Sequence, residues 1–79
     1  MSNLTIYATT WCPYCATLLR GLEGTDFDLI DVDRDPDAAE WVKSVNNGNR
    51  VVPTVRYPDG THATNPPAGE VLRKLGELA

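Results

Sequence analysis

LTIYATTWCPYCATLLRGL, residues 4–22, holds both cysteines of a 79-residue chain, and how it folds decides the architecture. LTIYA (4–8) alternates branched and other residues and is predicted to be a β-strand. From Pro13 the pattern turns helical, with Cys15, Leu18, Leu19 and Leu22 at i, i+3, i+4 and i+7 along one buried stripe. Gly21 weakens that helix, and Gly24 is placed to end it. Pro13 at the first helical position makes Cys12 the N-cap residue. The Cys12 sulfur then lies beside unpaired backbone N–H groups and the positive end of the helix dipole, which both favour a thiolate. Cys15 lies one turn on, in line with the leucines, and is expected to be the covered thiol of higher pKa.

Three uses of such a pair compete. As a staple, a bridge closing about four residues removes only about 2 kcal/mol of unfolded-chain entropy. A zinc site needs four ligands, and two cysteines with the lone His62 supply three at most. His62 also falls on a predicted strand, where a half-exposed histidine needs no metal. A cluster shared between two chains escapes that ligand count and stays open. Thiol–disulfide exchange is the third use. It requires one exposed, activated thiol beside a protected one, which is the asymmetry expected of Cys12 and Cys15. Trp11 and Tyr14 flank the pair in the loop and first turn, where an aromatic face can shape the site.

Working outward, FDLIDV (27–32) is predicted to be a second strand, apolar enough to be central. Asp35-Pro36 starts a helix, with Asp35 as N-cap. Its stripe is Ala38, Trp41, Val42 and Val45, with Trp41 in the core, and Asn46-Asn47-Gly48 stops it. VPTVRY (52–57) is a third strand, Pro58-Asp59-Gly60 a turn, and THAT (61–64) the returning fourth strand. Asn65-Pro66-Pro67 begins the last helix, with Asn65 as a suitable N-cap and Ala68, Val71, Leu72, Leu75 and Leu78 as its stripe. The order is β-α-β-α-β-β-α. A parallel first pair with a right-handed crossover and an antiparallel hairpin give an α/β fold: a four-stranded mixed sheet with helices on both faces. Residues 1–79 are expected to form one domain.

Hydrophobic residues make up 42% of the chain, which suits a folded domain rather than a disordered one. No apolar run approaches the ~20 residues that span a bilayer. MSNLTIYA has no basic segment followed by an apolar region, so no signal peptide is expected and the cytoplasm is the expected compartment. Seven Lys and Arg against eleven Asp and Glu leave a net charge of −4, which argues against a nucleic-acid partner. The surplus acid sits in DFDLIDVDRDPD (26–37), expected to be a solvated edge with helix caps.

WCPYC after a first strand, with Val52-Pro53-Thr54 opening the third, resembles the glutaredoxin branch of the thioredoxin fold along the whole chain. The resemblance implies a cis Val52–Pro53 bond that turns the backbone of Val52 toward Cys12, ready to pair with an extended substrate. Glutaredoxins that bind glutathione usually carry a lysine shortly before the first cysteine and a Gly-Gly-x-Asp stretch after the fourth strand. Here Thr9-Thr10 and Ala63-Thr64-Asn65-Pro66 stand in those places. The charged donors are replaced by hydroxyl and amide groups, which suit an uncharged, sugar-like thiol.

TTWCPYC together with SVNNGNRVVPTVRYPDGTHATNP resembles the mycoredoxins of actinobacteria. That resemblance implies mycothiol as co-substrate, no bound cofactor or metal, and mycothiolated proteins as partners. It also implies a monomer coupled indirectly to an NADPH-dependent mycothiol disulfide reductase. Cys12 would be the nucleophile and Cys15 dispensable. Arg50, Val52, Pro53, Thr64 and Asn65, with Trp11, Pro13 and Tyr14, would contact the substrate. A dithiol redoxin that feeds ribonucleotide reductase and is fed by thioredoxin reductase is the alternative. A proline beside the first cysteine discourages the shared-cluster use in this family.

Overall fold

The computed structural model describes residues 4–79. Strands β1 (Thr5–Ala8), β2 (Asp28–Asp31), β3 (Thr54–Arg56) and β4 (His62–Thr64) alternate with helices α1 (Pro13–Gly21), α2 (Pro36–Ser44) and α3 (Ala68–Leu78) in the expected β-α-β-α-β-β-α order. The sheet runs β2-β1-β3-β4. β1 and β2 are parallel, with Tyr7 opposite Ile30, and the remaining pairs are antiparallel, with Tyr7 opposite Thr54 and Val55 opposite Ala63. No helix among the described residues is long and apolar enough to cross a membrane.

Alternation along β1 sends its side chains to two cores, one on each face of the sheet. Ile6 and Ala8 pack with Leu18, Leu22, Val55 and Val71 beneath α1 and α3. Tyr7 turns to the other face and meets Val32, Ala38 and Val42 beneath α2. β2, the strand expected from FDLIDV (27–32) to be central, is not. It lies at the edge of the sheet, with Asp28 and Leu29 exposed and Ile30 only half-buried. Its aspartates suit that position, because charge on an open edge discourages pairing with other chains. The buried central strand is β1.

Each helix start follows from local chemistry. Asp35 Oδ1 accepts from the Ala38 N–H at 3.1 Å, so the predicted cap of α2 is present. Past its last turn, Asn47 and Gly48 take positive φ angles of 58° and 86°. The start of α3 differs from the expected one. Pro67 occupies the N-cap without a side-chain hydrogen bond, and Asn65, two residues earlier, adopts φ 48° in the approach to the helix. Asn65 therefore does not cap α3. The stripe of α3 is also narrower than its apolar pattern. Val71 is buried and Ala68 and Leu75 partly so, but Leu72 and Leu78 are exposed, because α3 presents one strip to α1 and the sheet.

Gly21 has a use that its low helix propensity hides. A Cβ at that position would stand 2.5 Å from the Cβ of Ala68, so its absence lets α3 approach α1. Trp41 is half-buried rather than core. Its ring meets Tyr7 at 4.7 Å on one side, while His62 and Arg56 cover it from the sheet.

Candidate active site

Parallel pairing of β1 and β2 brings the residues after Ala8 and those after Asp31 to the same end of the sheet, and β3 begins there too. Cys12 caps α1 with extended backbone angles (φ −85°, ψ 117°), and its carbonyl accepts the Ala16 N–H at 3.1 Å. Its Sγ accepts the Cys15 N–H at 3.3 Å, and the thiol lies 3.8 Å from the Val52 carbonyl oxygen. An N–H aimed at the sulfur and the dipole of α1 behind it both favour negative charge at that atom. The Val52–Pro53 bond is cis, and Val52 packs against the core that contains Cys12.

The expectation of an exposed Cys12 is corrected: only 6% of its surface is accessible, because the turn before α1 and the Val52 loop close around it. Cys15 is 1% exposed, in line with Leu18 and Leu22 as expected. Burial, and then the neighbouring Cys12, push the Cys15 thiol up to about 11, against the pull of a backbone hydrogen bond from Thr9. Both cysteines are free thiols.

Pro13 and Tyr14 project from the first turn of α1, and both are exposed. Tyr14 shares a shallow hollow of about 300 Å3 with Thr17, Leu18, Asn65 and Pro66. Asn65 is held there by its N–H, which donates to the Pro53 carbonyl at 2.8 Å. Thr64 is engaged elsewhere: its hydroxyl donates to Asn46 Oδ1 at 2.5 Å. Asn46 in turn donates to the Val42 carbonyl at 2.8 Å and to Thr54 Oγ1 at 3.3 Å, while Thr54 Oγ1 donates to the Val51 carbonyl at 2.8 Å. Thr64 thus helps hold the loop that carries Val52 and Pro53. Asn46 was expected only to stop α2, and nothing in its sequence position reveals that bridging.

Arg50 and Trp11 meet through a residue that the sequence did not single out. Asp33 accepts the Trp11 indole N–H at 2.9 Å through Oδ2, and its Oδ1 pairs with the Arg50 guanidinium. The hydrogen bond from Trp11, and then Arg50, hold the Asp33 carboxyl below the usual carboxylate range. The acidic run is therefore more than a solvated edge. The available signal was topological, since Trp11 follows β1 and Asp33 follows β2 by similar distances.

Among the described residues, no three His, Cys, Asp or Glu side chains gather as a metal site. Two adjacent thiols, both buried but only Cys12 at a helix start, are arranged for thiol–disulfide exchange. The sequence model of the glutaredoxin family matches residues 4–63. This chain belongs to the glutaredoxin family.

This glutaredoxin is 71% identical over 79 residues to mycoredoxin 1 of Corynebacterium glutamicum, covering all of both chains. It is also similar to the glutaredoxin-like NrdH-redoxin structure from Escherichia coli, with a TM-score of 0.76, 33% identity, and 90% and 92% of the two chains covered. The glutaredoxin structure from Archaeoglobus fulgidus superposes with a TM-score of 0.72 at 28% identity over 92% of this chain and 85% of that one. The thioredoxin fold of glutaredoxin type, expected from WCPYC and Val52-Pro53, is thus the fold of this glutaredoxin. Thiol–disulfide oxidoreductase activity is the activity of its family.

Proposed function

We propose that this glutaredoxin reduces mixed disulfides between mycothiol and proteins, with Cys12 as nucleophile. The observation that carries the proposal is the Cys12 sulfur at the start of α1, 3.3 Å from the Cys15 N–H, beside a Cys15 that stays a thiol. Cys12 thiolate attacks the mycothiol sulfur of the mixed disulfide. The old S–S bond breaks, the protein thiolate leaves and takes a proton, and mycothiol remains on Cys12. A second mycothiol thiolate attacks the same mycothiol sulfur, freeing Cys12 and forming mycothiol disulfide. An NADPH-dependent reductase returns that to two thiols. The chain acts as a cytoplasmic monomer in this scheme.

Mycothiol as the co-substrate is supported by the full-length likeness to mycoredoxin 1 and by the neutral groups at Val52, Tyr14 and Asn65. Val52 offers its carbonyl, and the hollow between Tyr14 and Asn65 offers an amide and an aromatic face to a sugar. Trp11, held by Asp33, and Pro13 border the approach to Cys12. Arg50 acts at second hand, by fixing Asp33.

The test supplies a mycothiolated protein, mycothiol, its reductase and NADPH, and follows NADPH oxidation. Cys15→Ser should retain turnover of wild-type order, and Cys12→Ser should lose at least ~10^3-fold. Equal losses would remove the one-thiol scheme. A two-cysteine redoxin fed by thioredoxin reductase is favoured by the likeness to NrdH-redoxin, a structure described as having a thioredoxin-like activity profile. That reading requires NADPH oxidation with thioredoxin reductase that stops in Cys15→Ser.

A further inference from the structure

A second hollow, of about 250 Å3, opens beside Cys12 between α1 and the edge strand β2. Its walls are mostly apolar: Ala16 and Leu19 from α1 and Leu29 from β2, with Cys12 itself forming part of the lining. Leu29 is 54% exposed on the outermost strand, although it lies next to a reactive centre. Thr9 lines the same hollow. It is only 7% exposed, and its Oγ1 has no hydrogen-bond partner among the described residues. That hydroxyl is closed off from solvent, so it adds almost no polar surface to the hollow. Asp31 closes the hollow, and Asp26 and Asp28 stand exposed along the same edge of a chain with net charge −4. Asp31 already accepts the Asp33 N–H at 2.9 Å and lies 3.8 Å from Arg34, while no ion pair holds Asp26 or Asp28 among the described residues.

We propose that this hollow receives the apolar side chain next to the modified cysteine of a client polypeptide, with a lysine or arginine of that segment lying along the acidic edge of β2. The inference rests on the proposed reduction of protein mixed disulfides and adds the client sequence that favours it. A residue adjacent to the client cysteine lies about 3.8 Å away along the chain. Because Cys12 lines the hollow, a client sulfur that leaves from the far side of the attacked mycothiol sulfur still brings its neighbouring residue to the opening. Opposite charge along β2 guides basic segments and rejects acidic ones.

Short peptides with one capped cysteine test this, carrying leucine or serine beside the cysteine and lysine or glutamate two residues further on. Each is prepared with two caps, mycothiol and 5-thio-2-nitrobenzoate, and kcat/KM is measured for each. The wild type should favour leucine over serine about tenfold with either cap, the factor expected for burying most of such a side chain. Leu29→Ser should bring that ratio near one, and Leu29→Met should keep it. The preference for lysine should shrink as salt is raised. A wild-type ratio near one, or an unchanged ratio in Leu29→Ser, overturns the proposal. So does a concentration-dependent dimer abolished by Leu29→Ser, which assigns the hollow to a second copy of the chain. Failure on mycothiol caps alone, with the leucine preference intact on the other cap, would reject the mycothiol reading and leave the hollow assigned.

Discussion

Two sulfurs one helical turn apart differ in chemistry because of their surroundings. Cys12 has an N–H at 3.3 Å and a helix start behind it, whereas burial pushes the Cys15 thiol up to about 11. Iodoacetamide near neutral pH should therefore alkylate Cys12 and leave Cys15 intact. Cys15 adducts should grow only as pH approaches 11, read by mass spectrometry of the peptides. Equal labelling near neutral pH would refute the asymmetry. The sign for stability follows from the same shift. An ordinary thiol ionises near 9, so the reduced protein keeps this contribution below pH 9 and loses it as pH rises to about 11. Cys15→Ala should remove that alkaline loss in urea titrations. At Asp33 the sign is opposite: its lowered pKa keeps the bond to Trp11 as pH falls past the usual carboxylate range. In a Trp41→Phe background, Trp11 emission should change on acidification with a midpoint below the ordinary 3.8, and Asp33→Asn should abolish that step. A midpoint at or above 3.8 would separate Asp33 from Trp11.

Elements were legible where a local rule governed them. Pro13 and Pro36 each begin a helix after a capping residue, and the leucine stripe of α1 is buried as its spacing predicts. The misplacement of β2 has a physical cause: an apolar strand pattern reports covered faces, whereas strand order depends on which partners the crossovers supply. At α3 the sequence offered Asn65 as a cap, but the helix begins only after two prolines, which leaves Asn65 two residues before the N-cap position. Gly21 shows how tertiary contact reverses a propensity. On an isolated helix, Gly21→Ala gains about 1 kcal/mol. Here the new Cβ meets Ala68 at 2.5 Å, and overpacking of that kind costs about 1–3 kcal/mol. The variant should unfold at lower urea with an unchanged slope, and Gly21→Ala/Ala68→Gly should recover part of the loss. A more stable single variant would show that α3 yields freely.

Across the whole molecule, the site is assembled from three segments far apart in sequence: residues 11–15, 50–54 and 64–65. Their local placement could be read in advance for Cys12, Cys15 and Pro53, because Cys-Pro-Tyr-Cys and Val-Pro are local signatures. What ties them together could not, because Asn46, Thr54 and Asp33 act through contacts that exist only after folding. Asn46 is the clearest case. It joins the end of α2 to β4 through Thr64 and to the start of β3 through Thr54, whose hydroxyl holds the Val51 carbonyl. Asn46→Ala leaves Thr64 Oγ1 and the Val42 carbonyl without these partners. Losing such bonds in a half-buried network costs about 1–3 kcal/mol. The local consequence separates this role from a purely global one. The Asn65 N–H, bonded to Pro53, should exchange with deuterium faster in the variant than the amides of α1 do, relative to wild type. If every amide accelerates by the same factor, Asn46 supports the fold as a whole and does not specifically position the loop that faces Cys12.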